Sequence, residues 1–323
     1  MLRTILTEQW GLKYPVLNAP MAYIAHGRLA KAVSEAGGLG MLGVGRNTPD
    51  FIEREVAVIR QDAPGLKFGI GLLGWAIENE PQLFEVTLAA RPFLVAISAG
   101  DISPYVGRLK EAGILVATQV HSREDALAAE AAGVDLMAAQ GTEAGGHTNK
   151  RVATLPLLQV VLEAVRVPVL ASGGVASGRG VAAVLAAGAA GIWSGTAFLA
   201  CPETNAVEAA RQRVLAARET DTILTSVYDR ANNLPWPESM PGRALRNDFT
   251  DRWDGHEQSL VQDQAALAEL KQAVTAKNYN VANIYAGEAV GMVNRVRPAA
   301  EVVASLGEEA EAILRERFRA LLG

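Results

Sequence analysis

The sequence predicts an α/β protein, a (β/α)8 barrel with a small, mostly helical C-terminal domain acting as a lid over the barrel mouth. Three observations carry that expectation. Between residues 14 and 200, short apolar stretches rich in Val, Ile and Leu alternate with Ala-, Glu- and Arg-rich stretches of helical period. The apolar stretches number eight and are continuously apolar rather than alternating, as strands buried on both faces are. Glycine-rich turns come late, after the sixth, seventh and eighth stretches, while the first turn, "NAPMAYIAHGR", lacks the G-x-G-x-x-G of an open dinucleotide-binding sheet.

The first strand candidate is "YPVLNAPM" (14–21), followed by the helix "GRLAKAVSEAGG" (27–38). The second is "LGMLGVG" (39–45), followed by "DFIEREVAVIRQ" (50–61). The series continues with "LKFGIGLLG" (66–74), "RPFLVAIS" (91–98), "GILVATQV" (113–120) and "GVDLMAAQG" (133–141). It ends with "VPVLASGG" (167–174) and "AAGIWSGTAFLA" (189–200). Gly37, Gly113, Gly133 and Gly188 stand where a left-handed residue would close the preceding helix. Beyond residue 205 the rhythm stops. Helices are expected over 205–219 and 257–276, with an irregular stretch, 226–255, that holds three prolines and two tryptophans. So long an irregular stretch with aromatics reads as a lid. The expected division is a barrel over 1–204, a lid and substrate region over 205–298, and an amphipathic helix over 299–323.

Composition narrows the function classes. Half of the 323 residues are hydrophobic and 20% are charged, as in an ordinary globular enzyme. The formal charge of −5 argues against nucleic-acid and anionic-membrane partners. A single cysteine, Cys201, removes disulfide frameworks and Cys-based zinc sites, and no His/Asp cluster suggests another metal. No signal-like or membrane-length apolar run is present, so a cytoplasmic location is the simplest reading. A homodimer is compatible with all of this, and the partner expected is a small-molecule substrate.

Barrel active sites lie at the C-terminal ends of the strands, which gives "GTEAGGHT" (141–148) an address at the mouth. Two readings of it stand: a tight turn with a surface histidine, or a glycine-lined ligand site in which His147 is a catalytic base or hydrogen-bond donor. "ASGGVASGRG" (171–180) and "WSGTAFLA" (193–200) occupy the two loops with which such barrels frequently bind phosphate. Gly173, Gly174, Gly195 and Thr196 would form that cradle; the alternative is a pair of tight turns. Asn18, Gln119 and Gln140 end strands one, five and six, so three amides are expected at one mouth. Amides offer donors and acceptors suited to a flavin's pyrimidine edge; the alternative for each is a satisfied polar residue at a strand end. Cys201 reads as a small buried thiol.

Together, "NAPMA", "QGTEAGGHT", "ASGGVASGRGVAAVLAAGAAGIWSGTAFLA" and "IYAGEAVGMV" resemble the nitronate monooxygenases, formerly 2-nitropropane dioxygenases, through almost the entire chain. The resemblance implies an FMN-containing TIM barrel with a helical domain over the flavin. It implies FMN contacts at Ala19, Met21, Gln140, Gly145 and Gly146, and phosphate contacts at Gly174 and across Trp193, Ser194, Gly195 and Thr196. The family's Gly-Gly-His histidine matches His147. Two departures stand out. Where the family often has an asparagine near the flavin after strand three, this chain has Gly71. Where it often has Gln-Met before Gly-Thr, this chain has Trp193 and Ser194. The activity implied is FMN-dependent oxidation of alkyl nitronates with O2 to a carbonyl compound and nitrite. The alternatives are an NAD(P)H-dependent flavin reductase of quinones or enoyl thioesters on the same barrel, and a flavin- or phosphate-binding barrel without turnover.

Overall fold

A computed structural model describes residues 2–322. Eight parallel strands form the barrel: β1 (Val16–Asn18), β2 (Gly40–Gly43), β3 (Phe68–Leu73), β4 (Leu94–Ser98), β5 (Leu115–Val120), β6 (Leu136–Gln140) and, past a two-residue strand β7 (Gly146–His147) outside it, β8 (Val169–Ser172) and β9 (Gly191–Ser194). Their spatial order is β1-β9-β8-β6-β5-β4-β3-β2, and a parallel bridge between Leu17 and Leu39 closes the ring. Each strand is short and buried on both faces, because helices cover the outside and side chains fill the inside. The four glycines expected to close helices are left-handed: Gly133 (φ +91°) closes helix Arg123–Ala132, and Gly37, Gly113 and Gly188 share that conformation, while Arg91 and Lys277 adopt it without being glycine.

Alternation along the strands sorts the barrel's contents. Leu17, Met41, Leu94, Ala96, Ala117, Leu136, Ala138, Leu170 and Trp193 make one buried cluster inside the ring. The wall from β3 to β6 is built of small residues there, Gly69, Ala96, Ala117 and Ala138. A side chain at Gly69 would collide with Met41 Sδ at 2.2 Å. Small residues on one wall thus leave the volume that Met41 and Trp193 fill from the other.

Helices run over Gly27–Glu35, Pro49–Arg60 and Glu208–Ala216, within the stretches expected from periodicity. The stretch 257–276 is two helices, Glu257–Leu260 and Gln264–Ala276. Asp263 breaks it by accepting the N–H of Ala266 at 2.9 Å as an N-cap. The stretch 226–255 is more ordered than its prolines suggest. It holds helix Val227–Ala231, strand β11 (Gly242–Leu245) and helix Asp248–Trp253, leaving 232–241 without regular structure. Strand β11 lies between β10 (Thr222–Thr225) and β7 in a small antiparallel sheet that period alone did not announce. The insertion has a core of its own around Tyr228, Phe249, Leu260 and Leu270.

Helix Ala299–Leu322 returns to the barrel and packs on helices Gly178–Ala186 and Gly27–Glu35, the place of an eighth barrel helix. Gly307 lets it come against the Tyr14 ring, where any side chain would collide, and Tyr14 donates its hydroxyl to Glu308 Oε1 at 2.5 Å. Among the described residues no helix is long and apolar enough to cross a membrane.

Candidate active site

The mouth is built by period two. Gln119 and Gln140 stand two residues beyond Ala117 and Ala138, so both face the barrel interior at its C-terminal rim. Asn18 has the opposite parity to Leu17, and its amide is taken elsewhere. Its Oδ1 accepts the Met41 N–H at 2.8 Å, and its Nδ2 donates to the carbonyls of Met41 at 2.9 Å and Ala19 at 3.0 Å. The expectation of three amides at one mouth is therefore corrected to two. Asn18 joins β1 to β2 where three-residue β1 is too short to do so by backbone alone. Gln140 carries a partner that sequence reasoning passed over: His121 Nε2 lies 2.8 Å from its Oε1. His121 is buried, and burial holds its imidazole below the ordinary 6.5.

The two glycine loops meet. Ser194 donates its hydroxyl to the Val175 carbonyl at 2.9 Å, tying the turn after β9 to the turn after β8. Gly173 (φ +102°) passes so close to Thr154 and Ala144 that a Cβ would sit 2.7 Å from Thr154 Oγ1. Gly195 rests on Met21 and Ala19, with Met21 Sδ 3.2 Å from where its Cβ would be. Gly174, Gly195 and Thr196 therefore stand together with their N–H groups donating to no acceptor among the described residues. Left-handed Gly174 (φ +69°) precedes helix Gly178–Ala186, whose N-cap is Ser177. Free N–H groups on adjacent glycine turns are what an anionic phosphate requires, so these residues fit the group. The one carboxylate beside Gly174, Glu143, is held by Thr154, which donates its N–H at 2.9 Å and its hydroxyl at 3.0 Å.

Gly145 is pressed against the insertion. A Cβ there would lie 2.6 Å from the Gly287 nitrogen, and Gly287 donates to Thr196 Oγ1 at 2.9 Å while Glu288 N–H donates to the Glu143 carbonyl at 3.0 Å. Arg243 adds a second stitch, donating Nε–H to the Thr142 carbonyl at 2.8 Å and pairing with Glu288 at 3.2 Å. Gly146 (φ +76°) then turns the chain into β7, and the side of Gly146 is open.

His147 is thereby placed against the insertion, where three groups meet it. Its Nε2 lies 2.8 Å from Asp229 Oδ1, both side chains being largely buried at 12% and 5% exposure. Trp236 stacks on its face and Tyr285 tilts against it at 5.4 Å. Burial raises the Tyr285 phenol well above its ordinary value, with the Asp229 carboxylate acting in the same direction. Among the described residues, Nδ1 has no hydrogen-bond partner. A carboxylate accepts, so in the tautomer in which His147 donates its Nε2–H to Asp229 the Nδ1 lone pair is left free.

Residues 3–77 and 75–309 match the sequence profile described as Nitronate monooxygenase. The chain belongs to the nitronate monooxygenase family.

That membership makes it a flavin-dependent oxidoreductase. Among its relatives is a (3aS,4S,5R,7aS)-5-hydroxy-7a-methyl-1-oxo-octahydro-1H-indene-4-carboxyl-CoA dehydrogenase of Mycobacterium tuberculosis. It is 34% identical over 78% of this chain and 68% of the relative. FabK from Thermotoga maritima superposes with a TM-score of 0.86 at 29% identity, covering 99% of this chain and 100% of that one. The nitroalkane oxidase of Streptomyces ansochromogenes superposes at 0.80, also at 29% identity, covering 98% and 100%.

Two positions where this member of the nitronate monooxygenase family departs from the usual pattern have physical explanations. A side chain at Gly71 would collide with the Pro20 ring at 2.3 Å, so Gly71 seats the loop after β1. Trp193 is 2% exposed and fills the barrel interior, its Nε1–H unpaired. Cys201 is buried and its thiol is pushed up to about 12 by that burial, which leaves it no thiolate at neutral pH.

Proposed function

We propose that the protein is an FMN-dependent monooxygenase that oxidises alkyl nitronates with O2 to a carbonyl compound and nitrite. The observation that carries this reading is His147, on the loop that also supplies Gly145 and Gly146, held 2.8 Å from Asp229 of the insertion and beside the free N–H groups of Gly174, Gly195 and Thr196. Those three N–H groups would hold the FMN phosphate, and Gln119 and Gln140 the polar edge of its ring. When bound, FMN supplies the redox and O2 chemistry.

The chain's own part is proton handling and charge. Nδ1 of His147 takes the acidic C–H proton of a neutral nitroalkane, while Asp229 accepts the Nε2–H and offsets the positive charge that develops. The resulting Nδ1–H then donates to a nitronate oxygen, which stabilises the anion. A preformed nitronate needs only the second of these actions. The insertion, stitched to the barrel through Gly287, Glu288 and Arg243, closes the site over the reacting atoms.

Anaerobic spectra of the purified protein test this. Bleaching of the flavin band by propane nitronate alone is the expected result; no bleaching with nitronate would overturn it. The NAD(P)H-dependent reductase is the second reading, favoured by the likeness to a carboxyl-CoA dehydrogenase and to FabK. Bleaching by NADH or NADPH but not by nitronate selects it.

A further inference from the structure

Trp236 comes from the irregular run 232–241, flanked by Pro235 and Pro237, and is only half-buried. A flexible aromatic on such a run could lie anywhere on the surface. Instead its indole lies face to face with the His147 imidazole, the ring centres 3.7 Å apart and the planes within 4°. Aromatic carbons at that spacing are in van der Waals contact, so no ligand atom fits between the rings. The Trp236 ring also meets Trp75 edge to face, the centres 6.1 Å apart and the planes at 82°, and Trp75 stands on helix Gly74–Asn79 immediately after β3. Trp236 therefore links the insertion and His147 to the barrel loop after β3. This run is anchored at its end, where Thr148, next to His147, donates its N–H to the Pro241 carbonyl at 3.2 Å.

With Trp236 over one face, Asp229 on Nε2 and Tyr285 tilted against the ring at 5.4 Å, the Nδ1 edge is what remains of the imidazole for a substrate. We propose that Trp236 is the positioning and specificity-determining residue of this site. It locks the imidazole in the plane in which Asp229 accepts the Nε2–H, and with Trp75 it seals the gap between the β3 loop and the insertion. Substrates then reach His147 at the Nδ1 edge alone, which favours compact, slender carbon acids over bulky ones. This rests on His147 being the reacting group, and it deepens the proposed reading without depending on the nitronate itself.

The test uses the flavin-loaded protein and three variants, Trp236→Phe, Trp236→Leu and Trp75→Leu. Diethyl pyrocarbonate labels unprotonated imidazole, and peptide mass spectrometry reads His147 against exposed His256 as an internal reference. The His147:His256 labelling ratio is expected to be low in the wild type and in Trp236→Phe, whose flat ring keeps the stack. It should rise about fivefold to tenfold in Trp236→Leu, the loss of one aromatic contact, and rise in the same direction in Trp75→Leu. With neutral 2-nitropropane, whose C–H proton His147 must take, Trp236→Leu should lower kcat by about ten- to a hundredfold, as misplaced catalytic groups do, with a smaller change in KM, and Trp236→Phe should recover most of it. Bulky nitronates should gain relative to small ones in Trp236→Leu. An unchanged labelling ratio in Trp236→Leu, or equal turnover by the Leu and Phe variants, overturns the proposal. If the wild type does not consume nitronate, the proposed function fails while the labelling ratio still decides the role of Trp236.

Discussion

Replacing Asn18 by leucine, close to it in volume, should weaken the barrel at its seam and leave the flavin in place. Met41 turns its N–H and C=O toward β1, where the Asn18 amide meets both, at 2.8 and 2.9 Å. The backbone links at this seam include the Leu17–Leu39 bridge, which the Leu39 N–H to Val16 carbonyl bond makes, and the Lys13 and Tyr14 N–H bonds to the Gly37 carbonyl below it. Asn18 is fully buried, so water cannot replace the lost amide. A buried backbone group left without a partner costs about 1–3 kcal/mol, and two such groups cost about 2–6 kcal/mol. Against a total of about 5–15 kcal/mol for a natural protein, that is a large fraction. The assay is urea unfolding followed by circular dichroism, with hydrogen exchange read at residues 39–43. The midpoint should fall, the Met41 amide should exchange faster, and the flavin-to-protein ratio of the folded fraction should stay the same. A loss below about 1 kcal/mol together with loss of flavin would refute the reasoning, because it would return the amide to the cofactor.

Other outcomes follow from the mouth. Asp229→Asn should cut turnover of neutral nitroalkane by about a hundred- to ten-thousandfold, the usual contribution of a general base. The effect on preformed nitronate should be far smaller; equal losses in stopped-flow assays with both would make the pair an anion-binding device instead. Gly174→Asp should purify colourless, since a carboxylate at a left-handed position beside the free N–H groups both strains the turn and repels phosphate. A yellow, fully loaded variant would remove Gly174 from the cradle. Burial holds His121 below its ordinary 6.5, so the unfolded chain binds a proton that the folded one refuses. Stability is therefore complete above that value and declines as pH falls from it through the depressed folded value, with His26 acting in the same direction. His121→Gln should flatten this acid-side decline in denaturation midpoints measured between pH 7.5 and 5, and an unchanged slope would show that the proton is taken elsewhere.

The barrel was legible because its strands are buried on both faces, which writes them as unbroken apolar runs such as "LVAIS" and "LMAAQ". Helix ends were legible because a left-handed closing residue favours glycine, as at Gly133. The small sheet was not, since β7, β10 and β11 are two to four residues long and carry no usable period. Asp229 could not be found from His147, because 82 residues of chain separate them and only the insertion's fold brings them together. Asn18 shows a subtler limit. Sequence marked the end of a strand, but which side the residue faces depends on a register of one, and that decided between mouth and seam. The reach of His121 to Gln140 is a matter of neighbouring strands, invisible along one of them.

The position of the last helix has a consequence for how the chain comes to fold. Helix Ala299–Leu322 packs on helices Gly27–Glu35 and Gly178–Ala186 and reaches β1, yet it is synthesised only after the whole insertion that follows Ser194. Contacts between such distant segments form late and slowly, because the loop between them must be closed before any contact repays it. Until then, the outer faces of helices Gly27–Glu35 and Gly178–Ala186 are bare apolar surface on a nascent chain, and Gly307 has no Tyr14 ring to meet. The insertion, with a core of its own, can order meanwhile and shorten the effective gap that the last helix must cross. The insertion is thus also a spacer whose compactness sets how soon the barrel is completed.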